Sequence, residues 1–355
     1  MPKRTLALAC VAALLGATPA AAQTDDRWSF DSAIGVSQWM GEGANSRPDI
    51  VIDFTAAARL GDGWTAYVRP WFRKASSSPY EFAKEIYQAA VQHERNGRVA
   101  TRLELGYILS PIGVGMMDMR PDSNPTIAPH LAYLIPMPRF DRGAPSSTAL
   151  ASSYPLGAQF TASTITWDAR AAVLTSPPNR SFVVGSSSPN PDPRPVLVTG
   201  AGITPRTGVR FGLGYATGVY VTDDELMDRS EKPRHSDLWT VEGDVAFNYT
   251  RINGEIAMNH VDLADGRTRA TSWFIQGQQT LTPRWFVAAR HEGANAPRSV
   301  IGIERPVLRI NEGTVGVRLS PEFTLRSAFS TRRTYYSTIT DRQAGVSLVW
   351  ARRWR

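Results

Sequence analysis

The chain has 355 residues, a formal charge of +7, 42% apolar residues and a single cysteine, Cys10. One cysteine excludes both a disulfide framework and a thiolate metal site. The mild basic balance suits anionic solutes better than nucleic acid, which calls for a dense basic patch.

The first residues, "MPKRTLALACVAALLGATPAAAQ", open with Lys3 and Arg4, continue in an apolar run from Leu6 to Ala17, and end on small residues with Ala20 and Ala22. This is the pattern of a secretory signal peptide over residues 1–22; the run is too short for a membrane anchor. Cys10 comes too early for a lipoprotein site and has Ala7, not leucine, three positions before it. Cleavage after Ala22 leaves residues 23–355, free of cysteine, as one domain, and lowers the formal charge to about +5.

From there the pattern is of period two. In "DIVIDFTAAARL", Ile50, Ile52, Phe54, Ala56, Ala58 and Leu60 share one face, with Asp49, Asp53, Thr55 and Arg59 on the other. In "VRFGLGYATGVYV" (209–221) every second residue is apolar except Thr217, and Arg210, Gly212, Gly214, Ala216 and Gly218 lie between. "WTVEGDVAFNY" sets Trp239, Val241, Val245, Phe247 and Tyr249 against Thr240, Glu242, Asp244 and Asn248. "TVGVRLSPEFTLRSAF" runs Val315, Val317 and Leu319 into a turn and out through Phe323, Leu325 and Phe329, with Arg318 and Arg326 opposite. Such alternation predicts β-strands. Many are about 10–14 residues long, where globular strands average about 5–6 and membrane-spanning strands need about 9–11.

Connections alternate in length. Short ones are read at 60–63, 95–98, 163–166, 203–206, 249–252, 281–284 and 319–322. Longer polar ones are read near 41–47, 75–81, 109–154, 176–194, 221–236, 263–267, 294–307 and 335–340. Seven short and eight long connections predict sixteen antiparallel strands in an all-β transmembrane barrel, both termini on the short-turn side. The weakest strand signals, near 82–95 and 195–203, leave 14 or 18 strands open. The apolar face then looks into lipid and the polar face into a lumen. Trp28, Trp39, Trp64, Trp71, Trp167, Trp239, Trp285, Tyr335 and Tyr336 fall near predicted strand ends, as interfacial girdles require.

With sixteen strands, 109–154 becomes the third external loop, "SPIGVGMMDMRPDSNPTIAPHLAYLIPMPRFDRGAPSSTALASSY". Its position, its length, its PIG turn and its RP and NP pairs resemble the Gram-negative outer-membrane porins of the general and phosphate-selective types, over essentially the whole mature chain. The resemblance implies a third loop folded into the barrel, a homotrimer, an outer-membrane location among lipid and lipopolysaccharide, and insertion by the barrel-assembly machinery. Two features depart from the family. The loop lacks the Pro-Glu-Phe-Gly-Gly stretch of enterobacterial porins, and "ARRWR" follows Val346, Leu348 and Trp350, so that either Trp350 or Trp354 ends the barrel.

Strand parity assigns to the lumen Arg59, Arg69, Arg73, Lys84, Arg102, Arg210, Arg251, Arg290, Arg318, Arg326 and Arg332, and also Asp31, Asp53, Glu104, Glu242, Asp244, Glu255, Glu292 and Glu312. Arginine offers a permanently charged planar fork to carboxylate or phosphate. The expectation is a weak anion preference, with Arg59, Arg69, Arg73 and Arg102 forming a basic wall. Asp118, Asp122 and Asp141 of the third loop face it across a constriction that also holds Arg120, Arg139 and Arg142. A lumen that is merely solvated by these charges is the alternative.

Nothing in the sequence supports catalysis or a cofactor. The histidines 93, 130, 235, 260 and 291 fit no metal motif, "PRHSDLW" is read as a polar loop, and there is no Gly-x-Ser-x-Gly elbow or phosphate cradle. The predicted function is a porin for passive diffusion of small hydrophilic solutes or ions. A barrel closed by its third loop, with a structural, adhesive or enzymatic role, is the alternative, and a secreted soluble sandwich comes third.

Overall fold

A computed structural model of the chain describes residues 27–44, 47–74, 83–109, 111–113, 120–140, 148, 155–177, 195–221, 232–264 and 266–354, with only the backbone of 83–87. Asp118, Asp141 and Arg142, and the leader, lie outside these residues. The strands are β1 (Trp28–Gly41), β2 (Asp49–Gly61), β3 (Trp64–Lys74), β4 (Ala83–Arg95), β5 (Ala100–Tyr107), β6 (Leu156–Ser163), β7 (Trp167–Leu174) and β8 (Val196–Arg206). They continue as β9 (Val209–Val221), β10 (Arg234–Phe247), β11 (Thr250–Leu263), β12 (Gly266–Thr280), β13 (Trp285–Asn295), β14 (Val307–Arg318), β15 (Phe323–Arg333) and β16 (Asp341–Trp354). One turn of helix, α1 (Leu131–Leu134), lies in the connection between β5 and β6.

Every strand pairs antiparallel with its chain neighbours, and β1 closes on β16 through pairs such as Ile34 with Trp350 and Val36 with Leu348. Closure leaves no edge strand, the condition for strands to cross hydrocarbon. β16 extends through "ARRW", so Trp354, paired with Phe30, is the last strand residue.

Seven short turns lie at one end of the barrel and eight connections at the other. Two short turns sit off their expected places. Thr204–Pro205 belongs to β8 at an irregularity in its register with β9, and the turn falls at Thr207–Gly208. Proline cannot donate to a ladder and therefore reads as a turn, although a bulge accommodates it. Gly208 has φ +83°, and a Cβ there would lie 2.3 Å from the Ala246 carbonyl oxygen, so the turn requires glycine. The next turn is Asn248–Tyr249, with Asn248 in the left-handed region at φ 49°. At the long-loop end, the connection expected at 263–267 is only two residues, because β11 ends at Leu263 and β12 starts at Gly266.

The outer wall is apolar: Phe211, Leu213, Val241, Ile256, Ile275, Val315 and Leu348 are exposed while Gly212, Thr240, Glu242 and Glu255 between them are buried. Four of the expected girdle residues, Trp28, Trp64, Trp167 and Trp285, are each the first residue of a strand that starts at the short-turn end, and all are exposed. Tyr336 is exposed at the opposite end, whereas Trp239 is exposed on the outer face as the sixth residue of β10, short of the strand end. Trp39, Trp71 and Tyr335 are corrections to that expectation. All three are buried, Trp71 and Tyr335 in the main internal cluster and Trp39 against Ile127, Ala128 and Ala328 with the Arg332 guanidinium 4.0 Å over its ring. The lapse at Thr217 has a local cause: on the outer face its hydroxyl, with that of Tyr215, donates to Asp237, which also binds Arg267.

The interior is divided. An apolar cluster of Leu174, Val196, Tyr220, Leu238, Val261, Leu308 and Ile310, all near the long-loop ends of their strands, receives Ile108, Ile112, Tyr133, Met137 and Phe140 of the third loop. The short-turn half of the interior carries the charged residues described next.

Candidate functional site

The third loop leaves β5, and Ile112 packs where glycine makes room. A Cβ on Gly214 of β9 would lie 2.8 Å from Ile112 Cγ1. The next residue, Gly113, has φ +87°, and a Cβ there would meet the Glu255 carboxylate oxygens at 2.7 and 2.8 Å. Beyond residues 114–119 the loop reaches β1, where Arg120 donates to Asp31 at 2.5 Å and to Asp122 at 2.9 Å. Burial works against the charge of Arg120, but its bonds to Asp122 and Asp31 outweigh that and hold its pKa above the ordinary arginine value.

From there the loop is fastened along one wall. Arg326 of β15 donates to the carbonyls of Asn124 (2.6 Å) and Thr126 (2.7 Å). Glu312 of β14 accepts the amides of Ile127 (2.6 Å) and Ala128 (3.3 Å). Arg290 of β13 donates to Ala128 O at 2.7 Å and Pro129 O at 3.2 Å, and lies 3.3 Å from Glu312. Glu292 accepts the Leu131 amide at 2.9 Å and has the His130 ring at 3.5 Å, while Tyr133 donates to Glu255 at 2.8 Å. Phe140 stacks on Tyr220 and the Arg139 carbonyl accepts the Val300 amide at 2.8 Å. Arg290, Glu292, Glu312 and Arg326 are all at most 3% exposed. Buried charges are tolerated when paired or hydrogen-bonded, and here half the partners are loop backbone groups, while Arg290 Nε, Arg326 Nε and Glu292 Oε2 have no hydrogen-bond partner among the described residues.

The expected pore-lining residues therefore separate into two sets. Arg326 points inward but is covered by the loop, so it is a correction to its reading as a residue of the water-lined wall; the same holds for Arg290. The second set lies elsewhere on the inner face, mainly on β2 to β11, with Arg318 at the short-turn end of β14. Arg69 is bidentate to Asp53 (2.6–3.1 Å). Arg102 lies 3.8 Å from Glu104, which also accepts the Tyr67 hydroxyl. Arg210 is bidentate to Asp168 (2.8 Å) and reaches Glu242 at 2.8 Å, Arg170 joins Glu242 at 2.9 Å, and Arg251 pairs with Asp244 at 2.8 Å. Arg318 stands by Phe286 near the short-turn end and donates to Pro283 O at 3.1 Å. Arg73 shares the inner face, opposite Val51, and Arg139 is exposed on the loop. Arg59 has no side-chain partner among the described residues. Of the four arginines expected to form the basic wall, Arg69 and Arg102 are thus paired with carboxylates. Asp122 does not face it alone across a gap but is held by Arg120.

Sequence reading missed Asp168, Arg170 and Arg353. The first two share a parity opposite to Trp167, Ala169 and Val173, a signal present in "WDARAAVL"; Arg353 was hidden in a tail that continues the strand. With Trp28, Ser29, Phe30, Asp31, Thr55, Arg59 and Arg120, Arg353 lines a cavity of about 420 Å³ inside the short-turn end.

No family model and no curated protein matches this sequence. Solved structures do. Salmonella typhi OmpF in complex with daunomycin has a TM-score of 0.59 at 10% identity, covering 92% of this chain and 97% of its own. An anion-selective porin from Comamonas acidovorans gives 0.56 at 11%, over 92% and 98%. A loop-deletion variant of OmpT, an outer membrane protein of Vibrio cholerae, gives 0.58 at 9%, over 92% and 99%, and OmpT is also known in a trimer form. The likeness is one of fold. It establishes the sixteen-stranded outer-membrane barrel architecture along nearly the whole chain.

Proposed function

We propose that this chain is an outer-membrane porin, a water-filled channel for passive diffusion of small hydrophilic solutes, with a weak preference for anions. The single observation that carries this reading is the fastening of the third loop. It lies inside the barrel but is tied to the wall of β13–β15 through Arg290, Glu292, Glu312 and Arg326, leaving arginine–carboxylate pairs elsewhere on the inner face. A sixteen-stranded barrel is too wide for side chains to fill, so a loop held to one side narrows a passage. The unpartnered Arg59 and the surplus of arginine over carboxylate near it support the anion preference. In this reading the chain is exported, sits in the outer membrane with the short turns on the periplasmic side, and forms homotrimers; it binds no nucleic acid and no cofactor and is no enzyme.

A second reading, a lumen closed at the long-loop half, draws on the apolar cluster formed there by Ile112, Tyr133, Met137 and Phe140. Swelling of proteoliposomes in iso-osmotic sugars separates the two. Swelling that slows steadily from a pentose to a trisaccharide supports the channel; no swelling with any sugar supports the closed barrel.

A further inference from the structure

Three guanidinium groups meet in the cavity at the short-turn end. Asp31 of β1 is held from both sides, by Arg120 at 2.5 Å on one carboxylate oxygen and by Arg353 at 3.1 and 3.2 Å on the other. That one carboxylate fixes both arginines without neutralising both. Arg59, four residues along β2 from Thr55, brings a third positive charge that has no side-chain partner among the described residues. The lining carries three positive charges against one carboxylate, and Asp122 beside Arg120 supplies a second, so that one positive charge is left over.

A guanidinium is a planar fork that matches the two oxygens of a carboxylate; Arg59 presents a whole one, while Arg120 and Arg353 spend Nε and Nη2 on Asp31 and Asp122 and add their charge. In a recess walled by protein, such charges concentrate anions well above their level in the bulk. Volume decides between kinds of anion. At about 420 Å³ the cavity falls in the range of small-molecule sites, roughly 300–1,000 Å³, and exceeds what one inorganic oxyanion fills. We infer that this vestibule is a binding site for small organic polycarboxylates, held between Arg59, Arg120 and Arg353, on the short-turn side of the channel. The inference deepens the proposed anion preference and rests on that reading for its role, but the binding itself does not require conduction.

The test is calorimetric titration of citrate into the purified barrel in an uncharged maltoside detergent, at low salt. Saturable binding of one citrate per chain is expected, weakened about tenfold in Arg59→Gln and in Arg353→Gln and unchanged in Arg284→Gln, which removes a charge from the β12–β13 turn of the same rim. Inorganic phosphate should bind at least tenfold more weakly than citrate. A lipid source of the same chemistry is checked by adding phosphatidylglycerol to the micelles, which should not displace citrate. No saturable binding, equal loss in Arg284→Gln, phosphate matching citrate, or displacement by the lipid would each overturn the inference. Failure of the channel reading would show instead as a barrel that binds citrate but passes no current.

Discussion

Glu312 is the carboxylate on which the fastening of the third loop turns, and Glu312→Ala is the sharpest perturbation of it. The substitution removes the acceptor for the Ile127 and Ala128 amides and the closest counter-charge of buried Arg290. Removing one partner of a buried pair costs about 3–5 kcal/mol. The lower end applies here, because Glu292 stays 3.9 Å from Arg290 and the guanidinium keeps the carbonyls of Ala128 and Pro129. About 3 kcal/mol, at 1.4 kcal/mol per decade, is roughly a hundredfold in the equilibrium for lifting the loop. The strand ladders do not depend on Glu312, so the cost should appear as local opening and not as loss of the barrel. Hydrogen exchange followed by mass spectrometry in detergent reads this directly. Amides over 124–131 should exchange about a hundredfold faster, while those of β9–β12 keep their protection. Replacing both charges, Glu312→Met with Arg290→Met, should recover part of the loss. Exchange over 124–131 within threefold of the wild type, or equal acceleration along the ladders, would refute the fastening.

Three further outcomes follow from the same geometry. Gly113→Ala combines a left-handed φ of +87° with a clash on the Glu255 carboxylate, so it should loosen the loop's first crossing by about 1–3 kcal/mol; limited proteolysis of the folded barrel should then cut the third loop sooner without a change in the urea midpoint. Leu213→Arg on the outer wall should destabilise the barrel in lipid vesicles by about 2–4 kcal/mol, and Thr217→Arg, two rungs nearer the long-loop rim, by no more than about 1 kcal/mol, as judged by reversible urea titration. Arg59→Glu, which turns the unpartnered charge of the vestibule negative, should move the reversal potential under a salt gradient toward cations, whereas Arg298→Glu in an exposed pair with Glu304 on the outer loops should shift it much less.

The strands and their inward parity were legible because a wall between lipid and a polar interior forces strict alternation, so each long strand repeats the same evidence six or seven times. Arg59, Arg69, Arg102 and Arg210 could be placed on the inner face from this alone. What the pattern could not carry was which inward charges meet water. Arg326 and Arg102 look alike in sequence; one is buried by a loop about 200 positions away and the other is not. Trp39 and Trp71 were misplaced for the same reason, since an aromatic near a strand end fits a girdle or an internal cluster equally well until the loop that covers it is known. Thr204–Pro205 was misread because a bulge and a turn use the same residue types.

The account's central claim is an open, loop-narrowed channel. Planar-bilayer recording of the purified mature barrel under a potassium chloride gradient tests it most directly. The account predicts stepwise conductance with a reversal potential modestly on the anion side. Insertion of folded barrel without any conductance steps would contradict it.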